Sequence, residues 1–84
     1  LKKLRELNLK ASKITDAGMP NLSGLIELRD LNLAQTNLTP AGLKALAPLA
    51  RLEKLHLNKC ERLTDDAVPV LSGLSSLKFL DIEG

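Results

Sequence analysis

The segment LKKLRELNL at residues 1–9 returns as LIELRDLNL at 25–33, as LARLEKLHL at 49–57 and as LSSLKFLDI at 74–82. Aligning Leu4, Leu28, Leu52 and Leu77 gives steps of 24, 24 and 25 residues. Leu7, Leu31, Leu55 and Leu80 keep the same step, as do Leu9, Leu33, Leu57 and Ile82. A fixed period of this length marks a stack of equivalent units rather than a globule built round one central site. A single unit is too thin to bury its own apolar face, so neighbours must cover it.

One unit shows the local grammar. From Asp30 to Ala34 apolar and polar residues alternate, the period of a short strand with one buried face. Leu31 and Leu33 then point inward, and Asp30, Asn32 and Ala34 outward. Residues 34–37 turn the chain, and Leu38 returns to the core. Thr39-Pro40 reads as a helix start, with Thr as N-cap and Pro at the first helical position. Leu43, Leu46 and Leu49 make an apolar stripe facing the strand. The first unit repeats this with Thr15-Asp16, then Met19, Leu22 and Leu25; the third with Thr64-Asp65, then Val68, Leu71 and Leu74. Pro20 and Pro69 fall inside these helices and each removes a helix hydrogen bond, which predicts short or partly 3₁₀ helices. The expected elements are parallel strands at 5–10, 29–34, 53–58 and 78–82, and helices at 16–23, 40–47 and 65–72. Helices need more width than strands, so the stack is expected to curve, with strands on the concave side.

The composition fits thin aliphatic layers. Leu fills most apolar positions, and Phe79 is the only Phe, Tyr or Trp. Twelve basic and ten acidic residues leave a net charge of +2, a balance that argues against nucleic acid or an anionic membrane as partner. No apolar run approaches the roughly 18 residues of a membrane span. The single cysteine allows no internal disulfide, and a free thiol favours a reducing, cytoplasmic compartment. Met19 is the only methionine, and both ends fall in mid-pattern. The chain therefore reads as one domain, 1–84, of three full repeats plus a fourth strand, cut from a longer array. Its end layers lack polar caps, so the isolated chain is expected to self-associate end to end or to fray.

After each strand comes a small residue able to hydrogen-bond: Ser12, Thr36 and Cys60. In stacked turns such side chains are expected to satisfy backbone groups of the neighbouring coil. With them the pattern L-x-x-L-x-L-x-x-(N/C) resembles the leucine-rich repeat over the whole chain. The third unit, LEKLHLNKCERLTDDAVPVL, is similar to the cysteine-containing subclass of F-box substrate receptors. The first two, SKITDAGMPNL and TNLTPAGLKAL, lack the cysteine and resemble bacterial, planctomycete-type Thr-Asp-Ala-Gly-Leu repeats. The resemblance implies an α/β, right-handed solenoid with a curved parallel sheet inside and short helices outside. It also implies a non-enzymatic protein-binding module that uses its concave face.

The outward strand positions form three columns: Glu6, Asp30, Lys54, Phe79; then Asn8, Asn32, His56, Asp81; then Lys10, Ala34, Asn58, Glu83. Folding does not fix these residue types, and they differ from strand to strand. The candidate partner surface is therefore Glu6, Asn8, Asp30, Asn32, Lys54, His56, Asn58, Phe79 and Asp81. A merely solvated face would suit most of these residues equally well. Phe79 stands out, because aromatics are enriched in interfaces. Cys60 and His56 are four apart, yet one belongs to a buried turn and the other to the outer face, so they are not expected to form a catalytic pair. The glycines follow the repeat spacing and not that of a phosphate loop. The residues offer no paired acid and base, no activated nucleophile, no metal set and no cofactor motif. Two further roles compete with protein binding: a structural spacer, and the substrate-recognition part of an F-box-type ubiquitin ligase.

Overall fold

A computed structural model describes residues 3–82. Four strands, β1 (Glu6–Asn8), β2 (Asp30–Asn32), β3 (Lys54–His56) and β4 (Phe79–Asp81), form one parallel sheet in sequence order. The register places Leu7 beside Leu31, Leu31 beside Leu55 and Leu55 beside Leu80. This is the alignment that the sequence period demands, because a slip of one residue would turn every leucine to solvent.

The regular strands are shorter than the alternation predicts, but the backbone ladder between units is not. It starts at the Arg5 carbonyl, which accepts the N–H groups of Arg29 and Asp30, and runs on to the Ala11 N–H, which donates to the Ala34 carbonyl. Three residues at equivalent turn positions, Ala11, Gln35 and Lys59, have φ of 59°, 58° and 60°. The left-handed region costs a non-glycine residue on the order of 1–2 kcal/mol. What holds Ala11 and Gln35 there is the same ladder: their N–H groups donate to Ala34 and Asn58 at 2.8 and 3.0 Å. The turn also brings Ala34 into the core, where it is buried, and not outward as strand alternation had suggested.

The helical side varies from unit to unit. The first unit has a 3₁₀ segment, Met19–Leu22. The second has α1 (Pro40–Leu43), which runs on as a 3₁₀ turn, Lys44–Leu46. The third has α2 (Ala67–Ser72). Pro20 and Pro69 explain the brevity. Each lies in the first turn of its segment, where a missing N–H does least harm. Leucines from strands and helical segments meet in one core, and Leu28, Leu31, Leu33, Leu43, Leu46 and Leu55 are wholly buried. Burial falls at both ends. Leu7 is half-buried, whereas Leu80 is exposed. Val68, assigned to the core by the helical stripe, is 58 % exposed; among the described residues no helical segment comes after α2.

The caps differ from the expected ones. Thr39 is the N-cap of α1, but its side chain bonds to no helix N–H. Its hydroxyl donates to Asp16 of the preceding unit, and its N–H donates to the other Asp16 oxygen at 2.9 Å. Asp16 thus ties one unit to the next instead of serving its own helix. The two bonds from Thr39, the hydroxyl's first and the N–H's second, hold the Asp16 carboxyl below its ordinary value of 3.8. Gly42 makes room for this carboxylate: a Cβ there would lie 2.2 Å from Asp16 Oδ1.

Two tests follow from this packing. Leu55→Ala, with layers on both sides, should lower stability by about 2–5 kcal/mol in a urea melt. Leu80→Ala, at the same register but exposed, should cost about 1 kcal/mol or less. The clamp has a pH signature. A carboxyl whose folded pKa is depressed adds stability above its unfolded pKa and loses it as pH falls through the folded value. Wild type should therefore exceed Asp16→Asn in stability above about pH 4, and the gap should close as the solution is made more acid. Gly42→Ala should destabilise the wild type by about 1–3 kcal/mol and the Asp16→Ala background by less.

Candidate functional site

The solvent-facing side of the sheet takes its geometry from the ladder. The parallel register sets Glu6, Asp30, Lys54 and Phe79 side by side, and Asn8, Asn32, His56 and Asp81 in the next row. Eight of the nine candidate residues therefore lie in two adjoining rows across all four strands. Asn58, the ninth, lies beyond β3 in the turn, half-buried, with its carbonyl accepting the Gln35 N–H. Of its column, Lys10 is exposed, Ala34 is buried and Glu83 lies outside the described residues. The third column is thus not a surface row.

Three of these side chains touch. His56 Nε2 lies 3.5 Å from Asp30 Oδ1, across the β2–β3 pair. On the other side, the His56 and Phe79 rings have centroids 5.3 Å apart and are tilted by 53°. A carboxylate, an imidazole and a phenyl ring thus run in line over three strands. Phe79 remains 47 % exposed despite the stacking, so much of its ring is available to a partner.

Two shallow depressions flank this line. The first, about 390 Å³, is lined by Glu6, Asn8, Asp30, Asn32 and His56, together with Leu7. The second, about 330 Å³, is lined by Asp30, Lys54, His56 and Phe79. Asp30 and His56 line both. The first depression offers carboxylates and amides, a setting for hydrogen-bond donors of a partner. The second pairs an aromatic face with a lysine, a setting for an apolar or acidic group.

The asparagines carry a second duty that alternation does not reveal. Asn8 Oδ1 accepts the Lys10 N–H, and Asn32 Oδ1 accepts the Ala34 N–H, both at 3.0 Å. Each side chain therefore shapes the turn after its strand. An Asn two residues before the residue that precedes the turn is the sequence signal that could have shown this.

Cys60 is buried in its turn, and its thiol donates to the Leu33 carbonyl of the preceding unit at 3.1 Å. Thr36 bonds to the same carbonyl at 2.7 Å. Ser12 accepts the Ile14 N–H at 3.4 Å, within its own unit. Of the three, only Cys60 makes the expected bond to a neighbouring coil. Among the described residues no group of three or more His, Cys, Asp or Glu gathers as a metal set, and no helix is long and apolar enough to cross a membrane.

The Asp30–His56 pair is about a third exposed on each side. A double-mutant cycle with Asp30→Ala and His56→Ala should therefore give a coupling no larger than about 1 kcal/mol. Such a value would mark the pair as a minor contributor to folding stability.

Residues 2–63 match a family model described as the leucine rich repeat. No curated protein matches the chain.

Proposed function

Because the chain belongs to the leucine-rich repeat family, whose domains are generally protein-interaction modules, we propose that it binds a protein partner across the solvent-facing side of its sheet. In this reading the stack is a right-handed solenoid and that side is its concave face. The observation that carries the proposal is the exposed ring of Phe79, held against His56 beside Lys54. A spacer needs no aromatic on this side, and the core leaves it uncovered.

The partner lies along the two rows. Phe79 and His56 act as its anchors, in the manner of interfacial residues that carry most of a binding energy. Glu6, Asp30 and Asp81 on one hand and Lys54 on the other set charge complementarity and register. The Asn8 and Asn32 NH₂ groups donate to the partner's carbonyls.

The test is a titration of the partner, once isolated, against variants of known fold. Phe79→Ala combined with His56→Ala should weaken binding by more than about 1 kcal/mol with the circular dichroism unchanged. Lys44→Ala, exposed in the 3₁₀ turn Lys44–Leu46, should leave affinity as it was. Loss of binding with Lys44→Ala and none with the double variant would place the site on the helical side.

A further inference from the structure

A further row of charge runs along the near side of the Glu6–Phe79 row. Arg5, Arg29, Glu53 and Lys78 each stand one residue before Glu6, Asp30, Lys54 and Phe79. The ladder aligns them in the same way: the Arg29 N–H donates to the Arg5 carbonyl, the Glu53 N–H to the Arg29 carbonyl and the Lys78 N–H to the Glu53 carbonyl. In the first three units both rows line one depression of about 280 Å³, and every residue that lines it is charged: Arg5, Glu6, Arg29, Asp30, Glu53 and Lys54.

Three of these are cations and three are anions, so the patch carries no net charge. Within each unit the two neighbours have opposite signs, and the order of the signs reverses between the second unit and the third. Folding does not account for the pattern. Glu6 lies beside Asp30, and Arg5 beside Arg29, like charges in adjacent strands that repel. Among the described residues no ion pair joins any two of the six. Asp30 meets His56 instead, and the other five side chains make no ion pair or hydrogen bond.

The pattern is complementary to itself. Consider a half-turn about an axis that crosses the strands between the two rows. It lays each strand of a second copy over the same strand of the first, with the rows exchanged. Arg5 then faces Glu6, Arg29 faces Asp30 and Lys54 faces Glu53 of the second copy, and each contact occurs twice, as an isologous interface requires. A half-turn about an axis along β2 would instead set Asp30 over Asp30 and Arg29 over Arg29. The reversal of sign at the third unit penalises a slip, since moving the copy by one strand puts Arg29 over Lys54 and Asp30 over Glu53.

We propose that the partner of the sheet face is a second copy of the chain, docked face to face by these charges in a closed two-fold dimer. The proposal rests on the reading of this face as a protein-binding surface and names its occupant. The same half-turn lays Lys78 over the Phe79 ring of the second copy, a cation–π contact. Exposed ion pairs contribute little each, so the dimer is weak and sensitive to salt. End-to-end stacking of apolar layers is not screened in this way.

The test is sedimentation equilibrium of the 84-residue chain from about 10 μM to about 1 mM, at low salt and in about 1 M sodium chloride. The expected result is a monomer–dimer equilibrium that stops at the dimer and is lost in high salt. Arg29→Glu and Asp30→Arg should each weaken association about tenfold, since each sets two pairs of like charge in the interface. Mixing these two variants should restore a dimer with one copy of each, and the double variant should dimerise by itself, because opposite charges meet again in both cases. No core contact is touched, so all of these variants should keep the wild-type circular dichroism. A monomer at every concentration would overturn the proposal and leave the sheet face to a different protein, which the titration of the Phe79→Ala, His56→Ala variant tests separately. Association that survives high salt, grows past the dimer or ignores both single variants would belong to the chain ends and would also overturn it. So would failure of the two mixed variants to pair.

Discussion

Everything in this structure depends on one constraint: an inward strand leucine is wholly buried only when a layer lies on each side of it. Leu31 and Leu55, with a neighbour on both sides, are wholly buried, and Leu80, with one, is not. The apolar area removed from water is the main favourable term in folding. Here that area is shared between units and belongs to none of them alone. The period, the parallel register and the bond from the Cys60 thiol to the preceding unit all keep layers aligned. Stability in such a stack is a sum over neighbouring units and not the property of a single centre.

Polar groups serve the same end. The Asp16–Thr39 clamp ties the first helical segment to the second, and the Leu33 carbonyl receives both Thr36 and Cys60, one from its own unit and one from the next. Each bond satisfies a group that stacking would otherwise bury unpaired. The two outer rows lie outside this core, and within them Asn8 and Asn32 also shape the turns after their strands.

Strand order, register and the inward set were legible in the sequence because they follow from periodicity, which is a property of the whole chain. The register of Leu7, Leu31, Leu55 and Leu80 could be read directly. The left-handed residues Ala11, Gln35 and Lys59 could not, since none is glycine and the conformation is imposed by the ladder and not by local preference. The role of Asp16 was hidden for a related reason. By sequence it sits where a helix start favours an acid, but its partner is 23 residues away, and only the packing of units brings them together. Val68 was misplaced because the stripe argument is local, while burial depends on a following layer. At the sheet face the two rows were visible in the sequence, but the Asp30–His56–Phe79 line was not, because side-chain contact between strands depends on rotamers as well as register.

The central claim is that each layer is held by its neighbours, and native-state hydrogen exchange measures this layer by layer. The amides of Leu33 and Gln35, bonded across the interior β2–β3 pair, should open with the highest free energy. Those of Leu9 and Ala11, bonded from the first unit, and of Leu57, bonded to β4, should open more easily. Uniform protection along the chain, or a maximum at either end, would contradict the account.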